Sequence, residues 1–392
     1  MFSQLNSVTT LTFNIVPDTH FVTNMDGMFY YCNNLTSLDL SGFDTSNVTN
    51  MHAMFQDTPA LKNITFRDSA SDINYFDTSN VTNMYAMFWK TAVTSLDLGF
   101  FDTSNVTSME QMFSEATSLT SLNVASFDTS KVTKMNSMFS NNAVTRLDVS
   151  SFDTSNVTTM AAMFNGCHSL REIIGVENFD TSNATATGGM FSQCQSLTSL
   201  DVSGFDTSNV SYMPRMFCGL NNISTLDVSN FDTSNVTNMS YMFSTEIHQD
   251  DQYTYPAGKM TSLDLTGFDT SNVTDMSYMF AGNAFTSFDL SGFATEHVTD
   301  FTGMFMNLSA LTELDLRYFN TRNAYSPKMD NMFAGCTALS KITLGEKFRF
   351  SGTNSYLPAN GSDGLWYLGE VGYAPADISP ADYPGTYVIK AA

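Results

Sequence analysis

Two spacings alternate along this chain. In Leu35-Thr36-Ser37-Leu38-Asp39-Leu40-Ser41-Gly42-Phe43, apolar Leu38 and Leu40 alternate with polar neighbours, the period of a strand with one buried face. In Val48-Thr49-Asn50-Met51-His52-Ala53-Met54-Phe55 the apolar residues fall at i, i+3, i+6 and i+7, which predicts a short helical or 3-10 segment with one apolar side. Between the two halves stand Asp44, Thr45, Ser46 and Asn47, all turn and cap formers. One copy therefore reads as strand, turn, short helical segment, turn.

The copy repeats. Phe43-Asp44-Thr45-Ser46-Asn47-Val48-Thr49 returns nearly unchanged at Phe76, Phe101, Phe127, Phe152, Phe179, Phe205, Phe231 and Phe268, with degraded copies at Phe293 and Phe319. A period in the twenties with an L-x-x-L-x-L core lies in the leucine-rich-repeat range. The Met-Phe pairs from Met28-Phe29 to Met332-Phe333 number twelve, so residues 1–350 are expected to form a solenoid of about twelve coils, with 351–392 as a C-terminal capping segment. The fold class is an α/β repeat solenoid with a parallel sheet on one face and short helical or 3-10 segments on the other. The alternative is a parallel β-helix lacking helical turns. No single coil holds alone, because its helical piece is far too short to persist in water. Stacking at about 4.8 Å lets the Leu, Phe, Val and Met columns form one core. Phe43 and its equivalents stand where the general pattern has Asn or Cys. An aromatic column thus replaces the asparagine ladder, and the turn must be held by its own Asp-Thr-Ser-Asn side chains.

Charge narrows the partners. The 392 residues carry 39 acids against 16 bases, a net charge of -23. A polyanionic partner such as nucleic acid is disfavoured on that ground, as is an acidic membrane surface. No apolar run is long enough to insert into a bilayer. The start at Met1-Phe2-Ser3-Gln4-Leu5 lacks a basic and apolar leader, and Ile389-Lys390-Ala391-Ala392 lacks an anchor signal, so the chain reads as a monomeric segment trimmed from a larger protein. Cys32, Cys167, Cys194 and Cys336 each sit three residues after a Met-Phe pair, a fixed place that suits small buried packing residues.

The phrase Phe-Asp-Thr-Ser-Asn-Val-Thr-Asn-Met-Ser-Tyr-Met-Phe, here Phe231 to Phe243, resembles the BspA-like leucine-rich repeats found in many mycoplasma and lactobacillus surface proteins. The resemblance covers residues 8 to 350. Gly364-Leu365-Trp366, Gly372-Tyr373 and Gly385-Thr386-Tyr387-Val388 look like the closing segment of such arrays. It implies a secreted or wall-attached bacterial protein that adheres to a host or matrix protein or glycan. It carries over no catalytic residue and no shared ligand-binding motif.

Little else points to chemistry. The five histidines are scattered and pair with no Ser, Cys or acid at a recognisable spacing, so no enzyme, cofactor or metal is expected. Two acid columns need weighing. Asp44 and its eight equivalents run along the turn, and Asp201, Asp227, Asp264, Asp289 and Asp315 run along the exposed strand face. Carboxylate rows hold calcium in some folds, but the Gly-Gly-x-Gly-x-Asp repeat is missing. Capping of backbone N–H groups is the preferred reading of the turn column. The strand-face column is expected to destabilise the fold at neutral pH, since like charges about 5 Å apart repel by roughly 0.8 kcal/mol in water. Insertions break the monotony after Arg67 and between Ser244 and Lys259. They supply the candidate ligand contacts: Tyr253, Tyr255, Asp250, Asp251 and Tyr75. The competing function is an inert stalk that presents another domain at the cell surface.

Overall fold

The computed structural model describes residues 2–11, 13, 18–67, 75–245, 257–322 and 328–390. The chain divides into two compact units, Met1–Ala184 with Gln193–Ser196, and Thr185–Ser192 with Leu197–Ala392. Both are built from parallel solenoid coils, about twelve turns in all by the Met-Phe count.

The period-two halves form the strands. In the first unit β1 (Thr10–Leu11), β2 (Ser37–Asp39) and β3 (Asn63–Thr65) pair in parallel, as do β4 (Ser95–Asp97) with β5 (Ser121–Asn123) and β6 (Arg146–Asp148) with β7 (Glu172–Ile174). Register is fixed by the apolar residue: Leu38 faces Ile64, Leu96 faces Leu122, and Leu147 faces Ile173. A slip of one residue would turn each of these to solvent. In the second unit β8 (Glu313–Leu316) and β9 (Lys341–Leu344) pair in parallel. There β9 also takes β12 (Gly385–Ile389), antiparallel, which pairs in turn with β10 (Trp366–Leu368), itself paired with β11 (Val371–Tyr373).

The opposite face corrects the sequence reading. Among the described residues helical structure is confined to two 3-10 turns, Val176–Asn178 and Pro375–Asp377, and neither lies in a Met segment. The Met segments follow another course. Met51, Ala53, Phe55 and Asp57 donate their N–H groups to the carbonyls of Asn83, Tyr85, Met87 and Trp89 in the next coil, at 2.8–3.1 Å. The N–H groups between them turn back within the coil, Met54 to Met51 O and Gln56 to Ala53 O. Alternate donors thus go forward and back, where a helix would send every one back along itself. Two residues per turn adopt the left-handed conformation to allow this: Ala53 and Asp57, Gln111 and Glu115, Ser137 and Asn141, Ala162 and Gly166. Each such non-glycine residue carries strain of about 1–2 kcal/mol. Among the described residues no Val, Ile or Thr stands at positive φ, as β-branched crowding requires. On this face the chain is closer to the helix-free alternative.

The core is columnar. Val48, Met51, Met54 and Phe55 are wholly buried, and so are their counterparts Val81, Met84, Met87 and Phe88. Rings stack coil on coil: Phe29 on Phe55 at 5.7 Å, Phe88 on Phe113 at 5.6 Å, Phe139 on Phe164 at 5.6 Å. Phe2 continues this column onto Phe29 at 5.7 Å, so Met1-Phe2 is a further copy of the pair. Phe152 stands in the second aromatic column, between Phe127 and Phe179 at 6.4 and 6.5 Å.

Candidate binding surface

The recurring turn is tied up in bonds, position by position. Asp44 Oδ1 accepts the Ser46 N–H at 3.0 Å and its hydroxyl at 2.6 Å, and the same N–H bond recurs at Asp77, Asp102, Asp128, Asp153 and Asp180. These bonds hold Asp44, Asp128 and Asp153 below the usual carboxylate range, the serine hydroxyl first and the serine N–H second. The threonine reaches forward: Thr45, Thr78, Thr103, Thr129 and Thr154 donate to the carbonyls of Asp77, Asp102, Asp128, Asp153 and Asp180 at 2.7–2.9 Å. The asparagine reaches back, Asn80 to Ser46 O at 2.8 Å and Asn105 to Ser79 O at 2.7 Å. An asparagine ladder therefore exists after all, displaced to the far side of the turn. Valine fills the core, and the following threonine also reaches back, Thr82 to Thr49 O at 3.1 Å.

The cysteines serve the same stacking. Cys167 Sγ donates to Phe139 O at 3.0 Å, Cys194 to Phe164 O at 3.1 Å and Cys336 to Phe305 O at 2.9 Å. All five are free and buried. Burial pushes the Cys167, Cys218 and Cys336 thiols up to about 12, which removes the thiolate that reactivity requires.

The strand face presents what the repeat leaves free. Ser95 and Asp97, Ser121 and Asn123, and Arg146 point outward around the buried or half-buried apolar residue. Here too the sequence expectation is corrected. Asp201, Asp227 and Asp289 each accept the hydroxyl and N–H of the serine two residues on, and Asp264 accepts those of Thr266. These bonds outweigh the repulsion from neighbouring Asp227 at Asp201, and from Asp227 and Asp289 at Asp264, so all four sit below the ordinary value. Between β3 and β4, which do not pair with each other, a cavity of about 300 Å³ opens beside Phe66 and Asp97, with the Arg67 guanidinium 3.6 Å from the Phe100 ring centre.

A family model describing Mycoplasma proteins of unknown function, DUF285, matches residues 1–89, 59–175, 135–254 and 257–346. The chain belongs to this family. The resemblance to BspA-like leucine-rich-repeat surface proteins stands with it. No curated protein gives a significant sequence match. Among solved structures the chain is similar to a leucine-rich repeat protein from Bacteroides ovatus, at 13% identity and a TM-score of 0.36, over 82% of this chain and 68% of that one. It is also similar to a leucine rich cell surface protein from Faecalibacterium prausnitzii, at 16% identity and a TM-score of 0.35, over 81% and 75%. A third is a leucine-rich repeat protein from Eubacterium ventriosum, at 16% identity and a TM-score of 0.26, over 66% and 80%.

Of the five candidate contacts the structure places one. Tyr75 is exposed, and its carbonyl accepts the Thr45 N–H at 3.1 Å and the Asp77 N–H at 3.0 Å. Asp250, Asp251, Tyr253 and Tyr255 lie outside the described residues. The structure adds an aromatic row that sequence reasoning missed. In the second unit the Arg215 guanidinium lies 4.6 Å over the Tyr241 ring, which stacks on Tyr278 at 4.7 Å, with Tyr212 exposed nearby in the chain. Burial, then Tyr278, pushes the Tyr241 hydroxyl up to about 12. The signal was present: Tyr241 and Tyr278 occupy the position before the second Met, filled elsewhere by Ala53, Ala86 or Ser137. Among the described residues no group of three or more His, Cys, Asp or Glu could hold a metal ion.

Proposed function

We propose that the chain is a non-enzymatic binding segment of an extracellular bacterial surface protein, adhering to a host or matrix protein or glycan. One observation carries the reading. Residues that recur from coil to coil are used in bonds between coils, and several exposed or half-buried aromatic and arginine side chains stand where coils differ from one another. Tyr75, Arg67 and Phe100 flank one insertion, and Arg215, Tyr212 and Tyr241 make a second such place. A repeated scaffold with its variation on the surface suits recognition, and aromatic and Arg side chains are the usual anchors. The insertion between Ser244 and Lys259 belongs to the same set, with Tyr253 and Tyr255 as contacts and Asp250 and Asp251 suited to a basic partner.

The test compares the intact chain with one whose 244–259 insertion is replaced by the short connection of another repeat. At equal folding, weaker capture from host-surface extracts by the replaced chain supports the insertion as the contact. Undiminished capture moves the site to the strand face. Capture by neither favours the stalk, a reading to which the ladder of turn bonds between coils lends support, since it stiffens each unit along its stack.

A further inference from the structure

In the second unit the first position of the turn changes sign from coil to coil. Threonine bonds define the equivalence: Thr207 donates to Asp232 O, Thr233 to Asp269 O, Thr270 to Ala294 O, Thr295 to Asn320 O and Thr321 to Arg349 O. Aspartate thus gives way to alanine, asparagine and finally arginine. Two positions further on in the turn the residue changes as well, since Arg322 stands where Ser234 and Ser271 stood, after an exposed Glu296. The stretch from Arg317 to Arg349 holds six bases, Arg317, Arg322, Lys328, Lys341, Lys347 and Arg349, against two acids, Asp330 and Glu346. Three of the six pair with acids outside the stretch, Arg317 with Asp315, Lys328 with Asp300 and Lys341 with Glu313, which leaves Arg322, Lys347 and Arg349 without an ion pair among the described residues, in a chain of net charge -23. Net charge, which disfavours anionic partners for the chain as a whole, does not describe this stretch.

The geometry sharpens this. Arg322 Nη2 and Arg349 Nη1 both donate to the carbonyl oxygen of Glu346, the second at 2.9 Å, and Arg349 Nη1 also donates to Phe348 O at 2.7 Å. Two guanidinium groups converge on one neutral acceptor, and Lys347 is exposed beside them. Among the described residues neither arginine makes an ion pair within 4.0 Å, whereas Arg317 and Lys341 are paired with Asp315 and Glu313. Burial and then Arg322 lower Arg349 from its ordinary value, and Asp382 acts in the opposite sense. Cations so placed repel one another, and the guanidinium donors not used on these carbonyls match an anion with several oxygens.

We propose that Arg322, Lys347 and Arg349 form a binding site for a tetrahedral oxyanion, the sulfate or phosphate group of a larger ligand. A dianion answers three cations better than a single carboxylate does. The proposal deepens the reading of the chain as a binding scaffold, and titration with bare ions tests the site without reference to adhesion. The intact chain is titrated at low ionic strength with inorganic sulfate and inorganic phosphate, by calorimetry. Arg322→Gln and Arg349→Gln are each expected to weaken binding about tenfold or more, the effect of losing charge-assisted hydrogen bonds. Lys134→Gln, in the first unit, is expected to leave it unchanged. Arg349→Lys should recover part of the loss, because it restores charge without the fork. Arg322 is exposed and the threonine bond to the next coil is made by Thr321, so the Arg322 variant keeps the test valid if Arg349→Gln folds poorly. A sulfated disaccharide against its unsulfated parent, and a sugar phosphate against its parent sugar, then distinguish the two sources. Equal affinities for the parent, Arg322→Gln and Arg349→Gln chains, or an equal loss in Lys134→Gln, would overturn the site even if adhesion by the chain were established.

Discussion

At the residue scale, the repeated phrase is an inventory of bonds between coils. Thr154 shows what the sequence concealed. As a polar turn residue it is expected to matter less than neighbouring Phe152, yet it is buried and donates to Asp180 O of the next coil at 2.9 Å. Thr154→Val keeps the shape and leaves that carbonyl without its donor, so a loss of about 1–3 kcal/mol is expected. Phe152→Ala, in the aromatic column, should cost about 3–5 kcal/mol. Urea melts measure both, and a Thr154→Val chain as stable as the parent would show that the threonine ladder is incidental. Two substitutions in one Met segment should have opposite signs. Ala162 has a φ of 56°, and glycine already serves its equivalents at Gly189 and Gly303. Ala162→Gly relieves left-handed strain of about 1–2 kcal/mol at an entropic cost of roughly 0.5–1 kcal/mol, a net gain of a few tenths or more. Four residues on, Gly166 has a φ of 73°, and a Cβ there would lie 1.8 Å from Asn141 Oδ1. Gly166→Ala should therefore destabilise by at least about 1–3 kcal/mol, from overpacking added to strain.

At the element scale, strands were legible and the Met segments were not, for a definite reason. Leu38 and Leu40 alternate with polar residues, and only an extended chain buries them together. Val48, Met51, Met54 and Phe55 have the spacing of a helical face, but a turn with left-handed residues at Ala53 and Asp57 buries the same four. Spacing reports which side chains go inside and leaves open where the N–H groups go. Non-glycine residues at positive φ give no compositional warning beyond the lack of β-branching. The far-UV circular dichroism spectrum should accordingly lack the helical double minimum, and helical content equivalent to a short helix in each coil would refute the alternating ladder. The closing segment makes a second element-scale prediction. β12 covers the free edge of β9 through four residue pairs, and Tyr387 of β12 and Trp366 of β10 are wholly buried. Removing 351–392 would uncover that edge and the end of the core, so the shortened chain should self-associate on gel filtration. A monodisperse, equally stable shortened chain would mean that the segment is not a cap. The exposure of Tyr75 beside an insertion was legible, and the stacked group of Arg215, Tyr241 and Tyr278 was not. Insertions stand out in a repeat, whereas a single substituted position is masked by its unchanged neighbours.

At the scale of the whole molecule, two electrostatic effects of opposite sign meet in the same carboxylates. A net charge of -23 repels itself, and this repulsion fades as pH approaches the sequence pI of 4.2. Hydrogen bonds from serine and threonine act the other way. Asp44, Asp128, Asp148, Asp153, Asp201, Asp206, Asp227, Asp264, Asp269 and Asp289 all have folded values below 3.8. A depressed folded pKa contributes stability that is present above the unfolded value and is lost as pH falls through the folded one. The two effects differ in range, which makes them separable. The long-range repulsion is screened once the Debye length drops to a few ångströms, at about 1 M salt, while bonds to the adjacent serine persist. In high salt the urea midpoint should hold level from neutral pH down to about 5, then fall steadily through the carboxylate range below about 4. At low salt the same series should first rise slightly on acidification, as repulsion is relieved, before it falls. A rise on acidification that survives high salt would mean that repulsion along the Asp columns outweighs the serine bonds, as charge counting alone suggested.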